Sequence, residues 1–133
     1  MLLLEIQKFQ KKISKWKIKI NSEVKNDGNI DICIGISSNQ FKGSYYNEFW
    51  NICKSGSKIG LNLKNKSSYL EKYQNKLKKD DIVEVIVDRK LGNLSFSIND
   101  FDCGIVCSDI PKEENLYPTI VLYEKNLIIE KVK

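Results

Sequence analysis

Residues 79–99 read KDDIVEVIVDRKLGNLSFSIN, and this stretch decides the fold. Val83, Val85 and Val87 alternate with Ile82, Glu84 and Ile86, which puts the three valines on one face of a strand. Leu94, Phe96 and Ile98 alternate in the same way with Ser95, Ser97 and Asn99. Between the two runs lies Arg89-Lys-Leu-Gly-Asn93, a turn-forming sequence that makes the pair a β-hairpin. Asp88, just before the turn, carries a carboxylate able to accept hydrogen bonds from the turn amides.

The same period of two extends outward from this hairpin. In Trp16-Lys-Ile-Lys-Ile20 the apolar residues face one way and the lysines the other. Ile30, Ile32, Ile34 and Ile36 share a face, and their β-branched side chains suit a pleated surface. Ile59, Leu61 and Leu63 alternate again. Thr119–Tyr123 and Leu127–Ile129 are apolar on both faces, as expected of strands buried between layers. Turn residues separate the runs at Asn26–Asn29, Ser55–Ser57, Asn99–Asp102 and Glu124–Asn126. Many short strands at close spacing predict an all-β, two-sheet antiparallel sandwich. Two stretches depart from the pattern. Ser68-Tyr-Leu-Glu71 has capping-box spacing, with Leu70, Tyr73 and Leu77 at helical intervals, which predicts a short helix or helical turn near 68–78. Leu2, Ile6, Phe9, Ile13 and Trp16 fit a helical stripe, whereas Leu2, Leu4 and Ile6 fit a strand; the extended reading is preferred.

The chain has 133 residues, which suits one domain spanning 1–133 with enough buried surface to need no cross-links. Its net charge is +5, from 22 Lys and Arg against 17 Asp and Glu. A basic balance invites nucleic acid or an anionic membrane as partner. Against this, Arg89 is the only arginine, and arginine makes the bidentate contacts to phosphate and guanine. The lysines are scattered, and with alanine absent and Lys, Asn and Ile abundant the bias points to an A/T-rich genome. Neither nucleic acid nor membrane is expected as a partner. Met1-Leu-Leu-Leu is cut short by Glu5, so it is no signal peptide, and no run approaches a membrane span. An intracellular, cytoplasmic location is expected, with Cys33, Cys53, Cys103 and Cys107 reduced. Cys103 and Cys107 are about 13 Å apart on a strand, too far for a disulfide or a shared metal. Histidine is absent, which removes Ser-His and Cys-His nucleophiles and imidazole metal sites. No Gly-rich phosphate loop is present. Adjacent carboxylates at Asp80-Asp81 point apart, and Glu113-Glu114 lies in a polar loop. No enzyme activity, cofactor or metal is expected.

The ordered motifs resemble the SPRY domain. They are Lys79–Asp88, Gly92–Asn99, Gly104 and Leu116-Tyr-Pro-Thr-Ile-Val121, preceded by Lys15-Trp-Lys-Ile18, Ile34-Gly-Ile36, and Phe49-Trp50 followed by Gly56 and Lys58. The resemblance covers roughly residues 12–132 and leaves 1–11 poorly matched. Asp80 stands where the family usually has Gly, and Asp100 replaces the Gly of its Asn-Gly. Most of these residues read as scaffold: Trp16, Phe49 and Trp50 as core, and Pro118 as a strand opening that needs no donor.

What the resemblance implies is recognition of another protein, through a short peptide segment held by loops at one end of the sandwich. In the SOCS-box branch of the family such a groove uses the loop after the Ile-Gly-Val strand, matching Ser37, Ser38 and Asn39. It also uses a loop near Gly60 and the turn matching Tyr123, Glu124 and Lys125. That branch has Trp-Gly where this chain has Glu124-Lys125. The residues themselves add Tyr45 and Tyr46 beside Gly43-Ser44, since tyrosine anchors interfaces well, and Phe101 at a turn tip. The expected partner is therefore a protein of unspecified identity, bound by a monomeric domain that stands alone or within a larger chain. Two other readings remain open: a lectin-like sandwich that binds a glycan, and a structural domain of a larger assembly.

Overall fold

The computed structural model describes residues 2–5, 13–24, 31–38, 49–55, 58–64, 66–124 and 126–132. In these segments the chain forms β1 (Leu2–Glu5), β2 (Ile13–Ile20), β3 (Ile32–Ser38), β4 (Trp50–Ser55), β5 (Lys58–Leu63) and β6 (Ser67–Tyr69). It continues with β7 (Ile82–Asp88), β8 (Asn93–Ile98), β9 (Phe101–Cys107), β10 (Leu116–Leu122) and β11 (Ile129–Val132). One sheet runs β1-β10-β3-β4-β5-β6 and the other β11-β2-β7-β8-β9. Every neighbouring pair is antiparallel. The all-β sandwich expected from the alternation is the fold observed.

The central hairpin forms as read. Val85 pairs with Phe96 and Val87 with Leu94, all buried, while Glu84, Ile86, Ser95 and Ser97 stay partly exposed on the reverse face. Fully burying each such side chain contributes roughly 1.5–3 kcal/mol. The Asp88 carboxylate accepts from the amides of Lys90 (3.0 Å) and Leu91 (3.1 Å). Gly92 closes the loop at φ 74°, its N–H on the Asp88 carbonyl at 2.8 Å. The β8–β9 connection is tighter: Ile98 pairs with Phe101, leaving only Asn99 and Asp100 between them. Both have positive φ, 51° and 67°, the two-residue turn whose twist matches that of the strands.

The two sheets differ in how they face their surroundings. The outer face of the β2-β7-β8 sheet is partly exposed and polar, with Lys17 4.0 Å from Glu84. In the other sheet β3 is buried on both faces. Its isoleucines Ile32, Ile34 and Ile36 join the core between the sheets, while Cys33, Phe49, Cys53 and Val121 form a second apolar cluster with Tyr123 against it. Gly35 is obligatory in this layer, since a Cβ there would stand 1.8 Å from the Trp50 carbonyl oxygen.

Three local expectations are revised. Residues 68–78 contain β6 and a turn at Glu71–Lys72, with no helix among the described residues. Leu70 and Leu77 are buried in the core, and the Leu70 amide bonds to the Ile59 carbonyl at 2.9 Å. The neighbouring strand thus takes a donor that a helix would have used. The Leu127–Ile129 run is not buried on both faces: Leu127 is buried, but Ile128, in the connection just before β11, is exposed. Pro118 is the third residue of β10 rather than its opening. Its missing donor lies on the β1 side, one register step beyond Glu5, which pairs with Thr119. Phe101 stays out of the core, 47% exposed. The extended N-terminal reading holds for Leu2–Glu5, which pair with Leu122–Thr119.

Candidate functional site

Strand register assigns the described connecting segments to one of two ends of the sandwich. Ser38 pairs with Leu116 and Ile32 with Leu122. The start of β3 and its end are therefore about 20 Å apart at the usual rise per residue. At the first end lie Asp31, Ser55 and Lys58, the segment from Tyr69 to Asp81, the Asn99–Asp100 turn, Tyr123, Glu124 and residues 126–128. At the second end lie Ser37, Ser38, Phe49, Trp50, Lys64, the Arg89–Gly92 turn and residues 108–115.

This geometry divides the residues singled out from the sequence. Tyr123, Glu124 and Phe101 belong to the first end, with Gly60 buried in the adjoining half of β5. Ser37 and Ser38 belong to the second, and both are buried. Asn39, Tyr45, Tyr46 and Lys125 lie outside the described residues. The Thr119 hydroxyl donates to the Tyr117 carbonyl at 3.0 Å, so in the 2.6 Å contact between Ser37 and Thr119 it is Ser37 that donates. The Ser37 side chain is thus engaged within the sheet.

The first end rests on fixed supports. Asp81 is buried, and its carboxylate accepts from the Lys78 amide (2.9 Å), the Lys78 ammonium (3.0 Å) and the Asn99 amide group (2.9 Å). This hydrogen bond raises the Lys78 pKa above its ordinary value. Asn99 in turn accepts from the Ile82 amide at 2.8 Å. The turn that presents Phe101 is therefore tied to the segment that presents Tyr73. The two rings meet with centroids 5.6 Å apart and tilted by 59°. Beyond them Tyr69 is 47% exposed, with the Lys58 ammonium 5.0 Å from its ring centre. On the other side of this end, Tyr123 donates its backbone N–H to the Asp31 carbonyl at 2.8 Å. The Asp31 carboxylate holds the Lys54 ammonium at 2.9 Å, and both side chains are almost wholly buried.

At the second end the single arginine is structural. Arg89 donates to the carbonyls of Lys112 (2.9 Å) and Glu114 (2.5 Å) and pins the loop that enters β10. Phe49 and Trp50 are buried, as their expected core role requires, and Lys64 lies 4.8 Å from the Trp50 ring centre. Among the described residues no group of three or more Cys, Asp or Glu converges to hold a metal ion, and no helix is long and apolar enough to cross a membrane.

Sequence reading missed Tyr69 as a surface candidate and read Tyr73 only as part of an inward stripe with Leu70 and Leu77; Tyr73 does pack against the core but keeps part of its ring exposed. The signal was present in the composition: Glu71-Lys-Tyr-Gln-Asn-Lys76 is a polar run with one ring in it.

The architecture is an antiparallel β-sandwich that displays connecting segments at both ends. A family model for the SPRY domain matches residues 14–131, and the chain belongs to that family. SPRY domains are protein-interaction modules rather than enzymes. Among solved structures, the SPRY domain of human HERC1 is similar over 96% of this chain and 79% of that one, with TM-score 0.72 and 16% identity. The PSpry domain of TRIM65 is similar over 98% of this chain and 70% of that one, with TM-score 0.71 and 13% identity. No curated protein sequence matches the chain at a significant level.

Proposed function

We propose that this SPRY domain binds a short segment of a partner protein at the first end of the sandwich, with Tyr73 and Phe101 as its anchors. The observation that carries the reading is the partly exposed ring pair held on a hydrogen-bonded support of Asp81 and Asn99. Rigid aromatic side chains bury large area at low entropic cost, which is why they dominate interface energetics. Tyr69, Tyr123 and Glu124 flank the pair at the same end, and Lys125 belongs to the same connection in sequence. Asn39, Tyr45 and Tyr46, between β3 and β4 in sequence, are candidates for a second contact region rather than for the same groove.

The test is selection of short peptides from a random displayed library on immobilised domain. A Tyr73→Ala/Phe101→Ala variant, first shown to be folded, runs beside it. Peptides that bind the parent and lose at least about tenfold in affinity on the variant are expected, since one hot-spot ring contributes about 2 kcal/mol or more. Peptides that bind both proteins equally would move the site to the second end. No enriched peptide, together with a positive glycan array, would replace this reading with the lectin-like one.

A further inference from the structure

Cys33 and Cys53 face each other across β3 and β4, and the backbone bonding pattern fixes the kind of pair they form. Tyr123 donates to the carbonyl of its register partner Asp31, so the odd-numbered residues of β3 turn their backbone groups toward β10. Cys33 therefore makes no ladder bond to β4. The other side of β4 gives the same answer. Leu70 and Leu63 donate to Ile59 and Lys66, which turns the odd residues of β5 toward β6. Gly60 then bonds to Cys53, and Cys53 turns away from β3. Cys33 and Cys53 are a non-hydrogen-bonded antiparallel pair, with Cα atoms about 4.5 Å apart and side chains on one face. That separation lies within the range a disulfide accepts.

The surroundings of the two sulfurs are unequal. The Asn62 side-chain amide donates to the Cys53 sulfur at 3.4 Å. The Cys53 pKa is lowered by a hydrogen bond from Cys33, against the effect of burial, with further lowering from Asn62 and the Gly60 backbone. Cys33 is raised well above its ordinary value, by burial and by acting as the donor to Cys53. Cys103 and Cys107 are both raised to about 11, chiefly by burial, and neither has a cysteine opposite it. The chain thus contains one cross-strand dithiol, in which Cys53 is the more acidic sulfur and Cys33 its hydrogen-bond donor, and two further thiols with no such partner.

We propose that Cys33 and Cys53 are a redox site that closes to a disulfide with hydrogen peroxide as oxidant. The Cys53 thiolate attacks one peroxide oxygen, the O–O bond breaks, and hydroxide leaves to give a sulfenic acid. The Cys33 sulfur then attacks the Cys53 sulfur, the S–O bond breaks, and the leaving hydroxide takes the Cys33 proton as water. Two thiols and one peroxide become one disulfide and two waters. Both sulfurs are buried, so the step is gated by local opening of the sheet and selects a small oxidant. The bond encloses residues 33–53, and with them Ser37, Ser38, Asn39, Tyr45 and Tyr46.

The experiment treats the folded full chain with hydrogen peroxide, alkylates the remaining thiols, and maps non-reduced peptides by mass spectrometry. The expected result is a Cys33–Cys53 link with a mass loss of about 2 Da, reversed by dithiothreitol, with Cys103 and Cys107 still alkylated. Cys33→Ala should leave Cys53 as a sulfenic or sulfinic acid, and Cys53→Ala should leave Cys33 a thiol. Because the link is read in the parent protein, the assignment does not depend on either variant folding. A folded protein that forms no Cys33–Cys53 link, or one in which Cys103 or Cys107 oxidises first, would overturn the proposal.

Discussion

Asp80 and Asp100 show how a single residue can depart from a family pattern and keep its geometry. Both stand where glycine is usual in the family, and both have left-handed φ, 73° and 67°. Glycine is favoured at such positions because it lacks the Cβ that strains an L-residue there; Asp and Asn tolerate them through local hydrogen bonding. Asp80 gains a partial return from Lys19 at 3.9 Å. Asp100→Gly should therefore stabilise the domain by about 0.5–1 kcal/mol, read as a rise of several degrees in Tm by calorimetry. An unchanged or lower Tm would mean that the aspartate is not strained. Gly35 is the opposite case. Its Cβ would meet the backbone of Trp50 and Asn51, which cannot give way as a flexible side chain can. Gly35→Ala should cost about 3 kcal/mol or more, at or above the upper end of ordinary overpacking. A variant that melts within a few degrees of the parent would show that β4 shifts freely.

At the scale of elements, hairpins were legible because their side-chain period and turn chemistry are local. The Val83–Val87 and Leu94–Ile98 alternation and the Asp88 carboxylate needed no distant partner to be read correctly. The 68–78 segment was misread because its spacing is helical while its hydrogen bonds come from β5, a tertiary choice that local spacing does not encode. The edge strand β9 also carries a pH signature. Burial holds the Cys103 and Cys107 thiols at about 11 in the folded chain, against an ordinary value of 9.0. Below pH 9 both states are protonated and nothing is lost. As pH rises toward 11 the unfolded chain releases these protons first, so stability falls across that window. The fall in Tm from pH 9 to 11 should be steeper in the parent than in a Cys103→Ala/Cys107→Ala variant. Lysines and tyrosines titrate in both proteins, so only the difference between the curves is informative, and parallel curves would refute the assignment.

At the scale of the molecule, the candidate site was only half legible. The resemblance to the SOCS-box branch placed Ser37, Ser38 and Asn39 in one groove with Tyr123, Glu124 and Lys125. Antiparallel pairing reverses one strand against the other and sends Ser37 and Ser38 to one end and Tyr123 and Glu124 to the other. That reversal follows from topology, which the order of motifs along the chain does not display. It also makes a prediction about independence. Ser37→Ala removes a buried hydroxyl that donates to Thr119 and should cost about 1 kcal/mol of stability. It should leave peptide affinity at the Tyr73–Phe101 end unchanged. Tyr73→Ala/Phe101→Ala should lower affinity, with a separate cost in Tm from the Tyr73 ring that packs against the core. The two perturbations share no partner and lie well beyond the range of ordinary coupling, so the triple variant should show their sum within about 0.5 kcal/mol in both stability and affinity. A larger deviation would mean that the sheet transmits strain from one end to the other, and that partner recognition draws on both.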